Sequence, residues 1–310
     1  MKIAIGQINT KIADFPGNMR KIEDFSVRAA GIGAELVVFP ELSLCGYPPL
    51  DLMTYPAFID RNIASLEVLR KRLPPEIAVV VGYVERNYSG IGKSFYNSIA
   101  VIHGGEVIHR QHKTLLPTYD VFDEERYFEP AAERSVLEFR EHRIGFAICE
   151  DIWAENIGDS RLTYHRDPVG ELASHDADII IAPSASPFYS GKTSIRRHLV
   201  ESISTTHGCI TIYVNAVGAN DLFIFDGNSI ASDPSGNIVL HCRSFNEDLG
   251  VIDTEQMQTV PADDLEEIGN TFRNLEQALI LGVRDYMAKT GFSKVNLGLS
   301  GGVDSALVAV

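Results

Sequence analysis

Short apolar runs alternate with helical segments along most of this chain, and that alternation restricts the fold classes open to it. The runs at 35–39, 77–84, 143–148 and 178–182 have the length and apolar continuity of buried strands. Other segments alternate apolar and polar residues, which is typical of strands with one face in water. Because strands outnumber helices, we predict an α/β protein whose mixed sheets carry helices on their outer faces. Two such sheets packed face to face would give a four-layer α-β-β-α sandwich, although periodicity alone does not require it.

Periodicity and turn residues together predict the positions of the individual elements. Strands are expected at 2–8, 35–39, 77–84, 97–103, 106–112, 143–148, 178–182, 209–214, 223–230, 237–242 and 248–252. Helices are expected at 18–31, 61–73, 169–175, 193–206 and 271–289. Asp60 is the expected N-cap of the second helix. Gly104 with Gly105 favours a tight hairpin turn, and 233–236 supplies turn residues between two later strands.

Composition and charge argue against several classes of function. Asp and Glu number 42 against 27 Lys and Arg, which gives a net charge of −15. Such a protein does not attract nucleic acid or anionic membranes non-specifically. No run approaches the ~18 apolar residues of a membrane span, and the first ten residues hold no signal-peptide core, so a cytoplasmic protein is expected. The scattered cysteines Cys45, Cys149, Cys209 and Cys242 form no Cys-x-x-Cys pair, which favours free thiols over a metal site.

A polar, acidic stretch at 254–270 that contains Pro261 predicts a linker between two domains. The first domain would cover 1–253, and a second would open at 271–310. The helix that begins this second domain is predicted from the spacing of its apolar residues, which are Phe272, Leu275, Leu279, Val283 and Tyr286.

A glycine-rich segment, SGGVDS at 300–305, follows an apolar run at 295–299 that predicts a buried strand and precedes the first turn of a helix at 306–310. A strand, a glycine-rich turn and a helix N-terminus together form an anion site, because glycine allows close approach and free N–H groups point at the ligand. The segment lacks the lysine of a Walker A loop. Since the sequence ends at Val310, we expect only the opening of this domain to be represented.

Three reactive side chains each follow a predicted strand, at the point where loops of such a fold converge. They are Glu41, Lys113 and Cys149. A cysteine thiolate is a strong nucleophile, and a neighbouring carboxylate can take its proton and later return it to a leaving amine. A charged lysine can stabilise the oxyanion of a tetrahedral intermediate. Together they suit attack on a carboxamide, with a thioester, release of ammonia and hydrolysis by water.

The motifs around these residues resemble the signatures of the nitrilase, or carbon-nitrogen hydrolase, superfamily. They are FPELSLCGYP (39–48), HRQHKTLLPTY (109–119) and GFAICEDIW (145–153), with YNSIAVIHGGEVI (96–108) similar to the family's central hairpin. The resemblance implies a catalytic triad of Glu41, Lys113 and Cys149. It also implies an α-β-β-α sandwich and pairing of two copies across a helical face, hence a homo-oligomer. Taken singly, the three residues could instead be a turn residue, a solvent-facing lysine and a core thiol.

Longer motifs narrow the resemblance to the glutaminase domain of glutamine-dependent NAD⁺ synthetases. These are GYPPLDL (46–52), KTLLPTYDVFDEERYF (113–128) and ASPFYSGK (185–192). The likeness implies that Tyr119 lines a glutamine pocket, that Glu124 is a second carboxylate near the triad, and that the Glu150 amide completes the oxyanion hole. The last motif is similar to a substrate-pocket segment, which makes Ser186, Phe188 and Lys192 further pocket candidates.

The segment LGLSGGVDSA (297–306) resembles the pyrophosphate loop of N-type ATP pyrophosphatases, which have a Rossmann-like αβα fold. The resemblance implies pyrophosphate contacts from Ser300, Gly301, Gly302, Val303, Asp304 and Ser305. The family makes NAD⁺ from deamido-NAD⁺, ATP with Mg²⁺, and ammonia from glutamine, and its glutaminase domain needs neither metal nor cofactor. Without the rest of the second domain, we expect glutamine hydrolysis to be slow or absent.

Other interpretations stay open at this point. A stand-alone aliphatic amidase or nitrilase would use the same triad but would need no ATP loop. A non-catalytic oligomerisation scaffold would leave the triad residues apart. A nucleotide-binding module alone is disfavoured, because a strand, a turn and half a helix cannot bury a core.

Overall fold

The structure is a computed structural model that describes residues 1–154, 164–268 and 271–310. The strands are β1 (Lys2–Gln7), β2 (Leu36–Val38), β3 (Ala78–Arg86), β4 (Phe95–His103), β5 (Glu106–His112), β6 (Leu137–Phe139), β7 (His142–Phe146), β8 (Ile179–Ser184), β9 (Ile210–Asn215), β10 (Val217–Asn220), β11 (Phe223–Asp226), β12 (Ile230–Ser232), β13 (Ile238–His241) and β14 (Asp248–Asp253). The α-helices are α1 (Phe15–Gly31), α2 (Pro56–Leu69), α3 (Pro168–Ser174), α4 (Lys192–His207), α5 (Ala262–Ile268), α6 (Thr271–Thr290) and α7 (Val303–Ala309). Short 3₁₀ helices cover Leu50–Thr54, Glu124–Arg126 and Cys149–Trp153.

The strands form two six-stranded mixed sheets and a two-stranded ribbon. The first sheet has the order β14-β1-β2-β3-β4-β5 and the second β13-β12-β9-β8-β7-β6, while β10 pairs with β11. Strands β1, β2 and β3 run parallel, as do β7, β8 and β9, and the outer strands are antiparallel. The prediction of mixed α/β sheets is confirmed.

The core explains why so many strands are apolar along their whole length. In β1, Ile3 and Ile5 point into the layer between the two sheets, whereas Ala4 faces the cluster under α1 and α2. In β8, Ile181 faces the inner layer, whereas Ile180 packs in a third cluster with residues of α3 and α4. Strands β1 and β8 are therefore buried on both faces, and the layers follow the order α-β-β-α that was predicted.

Two local predictions were wrong. Asp60 is not an N-cap, because α2 begins four residues earlier at Pro56, and proline suits the first turn, where its missing N–H is not needed. The predicted strand at 223–230 is divided into β11 and β12, since Gly227 and Asn228 both adopt positive φ and interrupt it. Strand β12 pairs with β13 as expected, whereas β11 pairs with β10.

The predicted linker is partly folded. Within 254–270, residues Ala262–Ile268 form α5, and Val260 and Leu265 pack against the cluster beneath α3 and α4. Residues 269 and 270 lie outside the described part of the chain. The polar composition predicted a linker and gave no indication of this short helix.

Helix α6 has the predicted periodicity but buries a different face. The predicted apolar residues are exposed: Phe272, Leu275, Leu279, Val283 and Tyr286. The helix instead buries Ala278, Leu281 and Asp285 against the first domain. Asp285 accepts hydrogen bonds from Asn9 Nδ2 at 2.7 Å and from Ala219 N at 2.8 Å, so a polar contact fixes the side of attachment.

The run at 295–299 is not the buried strand that was predicted. It has no strand neighbour among the described residues, and Val295, Leu297 and Leu299 are exposed. A strand needs neighbours to pair its backbone groups, which accounts for the difference. Helix α7 does begin after the glycine-rich segment, as expected. No helix in the described ranges is both long and apolar enough to cross a bilayer.

Candidate active site

Buried charged groups gather where β2, β5 and β7 end. Lys113 Nζ lies 2.7 Å from Glu41 Oε1 and 2.8 Å from Glu124 Oε1, and all three side chains are almost fully buried. Cys149 is also buried, and it lies close enough for the charges of Glu41, Lys113 and Glu124 to act on the pKa of its thiol. The structure thus brings together the four residues that the motifs singled out for the chemistry.

The turn that carries Cys149 holds it in an uncommon backbone conformation. Strand β7 ends at Phe146, and Cys149 begins the next 3₁₀ helix with φ of 47°. A non-glycine residue in this left-handed region costs about 1–3 kcal/mol, and such strain is concentrated at functional sites. The cost indicates that surrounding contacts hold the thiol in this position.

The carboxylate of Glu41 is held from several directions. Its Oε1 accepts hydrogen bonds from Lys113 Nζ and from Asn97 Nδ2, both at 2.7 Å. Its Oε2 accepts from Ala185 N at 3.0 Å. Asn97 was quoted within the hairpin motif but not named as a site residue. An amide inside an otherwise apolar strand is the signal that could have identified it.

Close packing of β3 against the Glu41 turn depends on a glycine. A Cβ added at Gly82 would lie 2.3 Å from Leu42 N and 2.7 Å from Pro40 O. Leu44 N also donates to Gly82 O at 3.0 Å, so the strand and the turn are tied together. The Glu41 turn therefore packs on backbone that has no room for a methyl group.

We expect Gly82→Ala to lower kcat for amide hydrolysis, because the added methyl group must displace the Glu41 turn. Overpacking of this kind also costs about 1–3 kcal/mol in the free energy of unfolding. Ammonia release and thermal melting measure the two effects. Gly31→Ala is the matched control, since a Cβ there meets nothing within 4 Å. Unchanged kcat in Gly82→Ala would contradict the expected displacement.

Glu124 is the second carboxylate of the cluster, and its neighbour Glu125 is exposed. Besides Lys113, Glu124 Oε1 accepts a hydrogen bond from Tyr47 OH at 2.8 Å. Burial raises the pKa of Glu124 to about 7, although the charge of Lys113 works in the opposite direction. Sequence reasoning missed Tyr47, whose position in the FPELSLCGYP motif was the available signal.

The electrostatics favour a resting thiol and a charged lysine. Burial raises the pKa of Cys149 well above its usual value, Glu41 raises it further, and Lys113 lowers it. Burial lowers the pKa of Lys113, but Glu124 and Glu41 outweigh that effect and hold the pKa well above its ordinary value. A thiol kept protonated in this way needs a base before it can act as a nucleophile, and Glu41 is the carboxylate whose charge acts most strongly on it.

A second group of candidates lies around Glu150. Tyr119 OH donates to Glu150 Oε1 at 2.9 Å, and Tyr164 OH donates to the same oxygen at 2.6 Å. Lys192 Nζ lies 5.2 Å from the ring centroid of Trp153, and burial lowers its pKa to about 8. Tyr164 was not predicted, since it lies outside every quoted motif.

The segment 185–188 is fixed by a buried ion pair. Arg196 Nη1 lies 2.6 Å from Asp226 Oδ1, and Arg196 Nη2 donates to Ser186 O at 2.8 Å. Ser186 N donates to Asn215 Oδ1 at 2.9 Å. The ring of Phe188 lies 5.6 Å from that of Phe245, and both side chains belong to the apolar cluster that packs against α6. Of the described ring contacts of Phe188, none is with the triad.

The glycine-rich segment makes contacts within itself. Ser300 Oγ and Ser305 Oγ are 3.1 Å apart, and Ser305 Oγ donates to Gly302 O at 3.0 Å. Gly301 has a φ of +85°, which other residues rarely adopt. Asp304 lies in the first turn of α7, and these residues together with Val303 are largely exposed. The segment thus gathers two hydroxyl groups at a helix start, separately from the triad.

Family comparisons divide the chain in two parts. The carbon-nitrogen hydrolase model matches residues 2–262, and the NAD synthase model matches residues 275–310. A glutamine-dependent NAD(+) synthetase of Synechocystis sp. is 39% identical over 319 residues, covering 99% of this chain and 56% of that relative. One from Acinetobacter baylyi is 34% identical over 308 residues, covering 99% of this chain and 54% of the relative. The chain spans little more than half the length of these curated relatives.

Solved structures share the fold. Glutamine-dependent NAD⁺ synthetase from Acinetobacter baumannii, in complex with ADP, has a TM-score of 0.87 at 34% identity, covering 99% of this chain and 56% of that chain. A mutant amidase of Nesterenkonia from the nitrilase superfamily has a TM-score of 0.67 at 22% identity, covering 89% and 96%. The second likeness concerns the sandwich alone.

Proposed function

Because the chain belongs to the carbon-nitrogen hydrolase family, we propose that residues 1–253 form a glutaminase domain that supplies ammonia for ATP-dependent synthesis of NAD⁺ from deamido-NAD⁺. The observation that carries the proposal is the buried cluster of Glu41, Lys113 and Glu124 beside Cys149. The relatives named as glutamine-dependent NAD(+) synthetases support the choice of substrate and of the overall reaction.

In the first half of the proposed reaction, Glu41 takes the proton of Cys149 Sγ as the sulfur attacks the amide carbon of glutamine. The C=O bond becomes a C–O⁻ single bond, and the Lys113 ammonium together with the Glu150 N–H stabilises that oxygen. When the C–N bond breaks, Glu41 returns its proton to the departing nitrogen, so ammonia leaves and a thioester remains.

In the second half, Glu41 takes a proton from water, and the resulting hydroxide adds to the thioester carbon. Collapse of this intermediate breaks the C–S bond, glutamate leaves, and the proton held by Glu41 returns to the sulfur. Glu124 and Asn97 do not react in this scheme. They hold Lys113 and Glu41 through the contacts of 2.8 and 2.7 Å.

For substrate recognition we assign the carboxylate end of glutamine to Lys192. Lys192 is half-buried, the charges of Cys149 and Glu150 act on its ammonium, and that ammonium lies over the rings of Trp153 and Tyr189. Tyr119, Ser186 and the Glu150 carboxylate would border the amino-acid end of the substrate. Phe188 supports this wall from behind through Phe245.

We expect KM for glutamine to rise as pH increases through about 8, because Lys192 is charged below that pKa and neutral above it. Lys192→Gln should raise KM at lower pH by about tenfold, in line with the loss of a charge-assisted hydrogen bond, and should remove that pH dependence. Steady-state ammonia assays between pH 6 and 9 measure both effects. A substrate amide without a carboxylate is the control, and its KM should not respond to the substitution.

For the second part of the chain we propose an ATP pyrophosphate loop at Ser300–Ser305. The two hydroxyl groups 3.1 Å apart and the positive φ of Gly301 fit a cradle for phosphate oxygens at the start of α7. Mg²⁺ bound with ATP would neutralise phosphate charge as the substrate carboxylate is adenylylated. We also propose that the protein works in the cytoplasm and as a homo-oligomer through its outer helices.

Labelling with 6-diazo-5-oxo-norleucine, a glutamine-like electrophile, tests the proposed activity. Intact-mass analysis and peptide mapping should find one adduct, on Cys149 and not on Cys45, Cys209 or Cys242. Glutamine should protect against labelling, whereas a simple aliphatic amide should not. Protection by the aliphatic amide alone would favour the rival amidase function, and absence of any Cys149 adduct would overturn the proposal.

A further inference from the structure

Asp151 is an almost fully buried carboxylate beside the site, and it accepts three backbone hydrogen bonds. Its Oδ1 accepts from Thr114 N at 2.9 Å and from Leu115 N at 2.7 Å. Its Oδ2 accepts from Ile148 N at 3.0 Å. One side chain therefore satisfies backbone donors of two segments that are more than thirty residues apart in the sequence.

Those two segments carry the reacting groups of the proposed mechanism. Thr114 and Leu115 directly follow Lys113 at the end of β5, and Ile148 directly precedes Cys149 after β7. Strand β5 belongs to the first sheet and β7 to the second. The Asp151 carboxylate thus joins the two sheets at the point where the ammonium of one must meet the thiol of the other.

The described backbone contacts do not make this connection by themselves. Lys113 N donates to Asn97 O at 2.8 Å and Ala131 N donates to Lys113 O at 2.9 Å, while Ala147 N donates to Ile181 O at 3.0 Å. The first two bonds involve only the segment that carries Lys113, and the third involves only the segment that carries Cys149. Among the described residues, no backbone–backbone hydrogen bond joins 113–115 to 147–151.

We propose that Asp151 is a positioning residue that sets the separation and orientation of Lys113 and Cys149. The role rests on the proposed hydrolase function, since it concerns the same reacting groups. The side chain touches neither the substrate nor the thiol in this scheme. It acts through the backbone, by holding the turn in which Cys149 has its positive φ and the Glu150 N–H faces the oxyanion.

The charge state of Asp151 at neutral pH fits this role. Burial raises its pKa to about 6, while the N–H donors of Leu115 and Thr114 and the charges of Lys113 and Arg134 lower it. Around pH 7.5 the carboxylate is therefore mostly ionised and can accept on both oxygens. An asparagine amide nitrogen cannot accept, so Asp151→Asn would leave one buried N–H without a partner.

The test compares Asp151→Asn with a control that loses buried hydrogen bonds elsewhere. Ser204 is fully buried near the end of α4 that lies farthest from Lys192, and its hydroxyl group bonds to those of Thr211 and Ser232. At pH 7.5 and a temperature where all variants are folded, Asp151→Asn should lower kcat for glutamine by about 100-fold, as expected for a misplacement of about 1 Å. KM should change by less than about threefold. Ser204→Ala should lower the melting temperature but leave kcat unchanged.

A second readout separates this proposal from the identity of the substrate. Iodoacetamide alkylation of Cys149, followed by mass spectrometry, should be about tenfold slower in Asp151→Asn than in the unchanged chain, since Glu41 and the thiol no longer align. If 6-diazo-5-oxo-norleucine leaves Cys149 unlabelled but iodoacetamide shows this difference, the substrate assignment fails and the positioning role stands.

Asp151→Glu covers the case in which the asparagine variant does not fold. It keeps the charge but moves the oxygens by one methylene, so kcat should fall again at nearly constant KM. The proposal is overturned if the folded variants retain full kcat and alkylation rate. It is also overturned if their kcat falls no further than that of Ser204→Ala.

Discussion

Replacing Cys149 with alanine is expected to lower the rate of ammonia release from glutamine by at least ~10⁴-fold, because no other group can form the thioester. The fold should persist, since alanine removes one buried sulfur and keeps the same Cβ in the same turn. Coupled-enzyme detection of ammonia measures the loss, and near-ultraviolet circular dichroism with thermal melting checks the fold. Glutamine binding should remain measurable by calorimetry, because Lys192 and Tyr119 are unchanged.

Cys209→Ala is the matched control for this substitution. Cys209 is also buried, but it lies in the cluster under α4 and its sulfur is 3.8 Å from Thr211 Oγ1. Cys209→Ala should leave kcat within about twofold of the value for the unchanged chain. It should lower the free energy of unfolding by about as much as Cys149→Ala does. If Cys149→Ala kept ammonia release and Cys209→Ala lost it, the nucleophile would be misassigned. Equal activity in both variants would favour a non-catalytic scaffold.

Lys113→Met is expected to damage both catalysis and stability. The substitution removes an oxyanion donor, which alone costs about 10²–10³-fold in kcat. It also leaves the Glu41 and Glu124 carboxylates buried without their shared cation. Removing one partner of a buried ion pair costs about 3–5 kcal/mol in the free energy of unfolding. Ammonia assays and urea unfolding at pH 7.5 measure the two losses.

A double variant separates these effects. With Glu124→Gln added to Lys113→Met, one of the two uncompensated carboxylates becomes neutral, so part of the lost stability should return while kcat stays low. Lys71→Met, at an exposed position after α2, should change the unfolding free energy by less than about 0.5 kcal/mol. A Lys113→Met protein as stable and active as the unchanged chain would contradict the buried geometry. If adding Glu124→Gln restored ammonia release but not the free energy of unfolding, the roles assigned to Glu41 and Glu124 would need to be exchanged.

Glu41, Lys113 and Cys149 could be named as candidates because each lies in a short local motif after a strand. The motifs identify these residues without showing which strands pair or that the strands belong to two different sheets. Which other residues contact these three depends on which strands pair and how the sheets pack. Asn97 reaches Glu41 only because β4 lies beside β3, and the Asp151 contacts depend on how the two sheets are packed.

The periodicity of apolar residues predicted which residues share a face of a helix or strand, but it did not predict which part of the protein packs against that face. Helix α6 has an apolar stripe, yet the face carrying Asp285 is the one against the first domain. Lys289 strengthens that attachment through three oxygens, those of Thr10, Ala219 and Asn220. An apolar pattern cannot reveal such an attachment, because the groups that make it are polar. The run at 295–299 illustrates the same limit, since its apolar residues did not specify a neighbouring strand.

The burial of Cys149 among carboxylates has a consequence for its chemistry in an oxidising cell. Peroxide attacks the thiolate form of cysteine, and here burial together with Glu41 keeps the sulfur protonated in the absence of substrate. The reactive sulfur should therefore resist conversion to sulfenic acid between catalytic cycles. In the proposed reaction, oxidation of this sulfur would be confined to the brief interval in which the thiolate is formed.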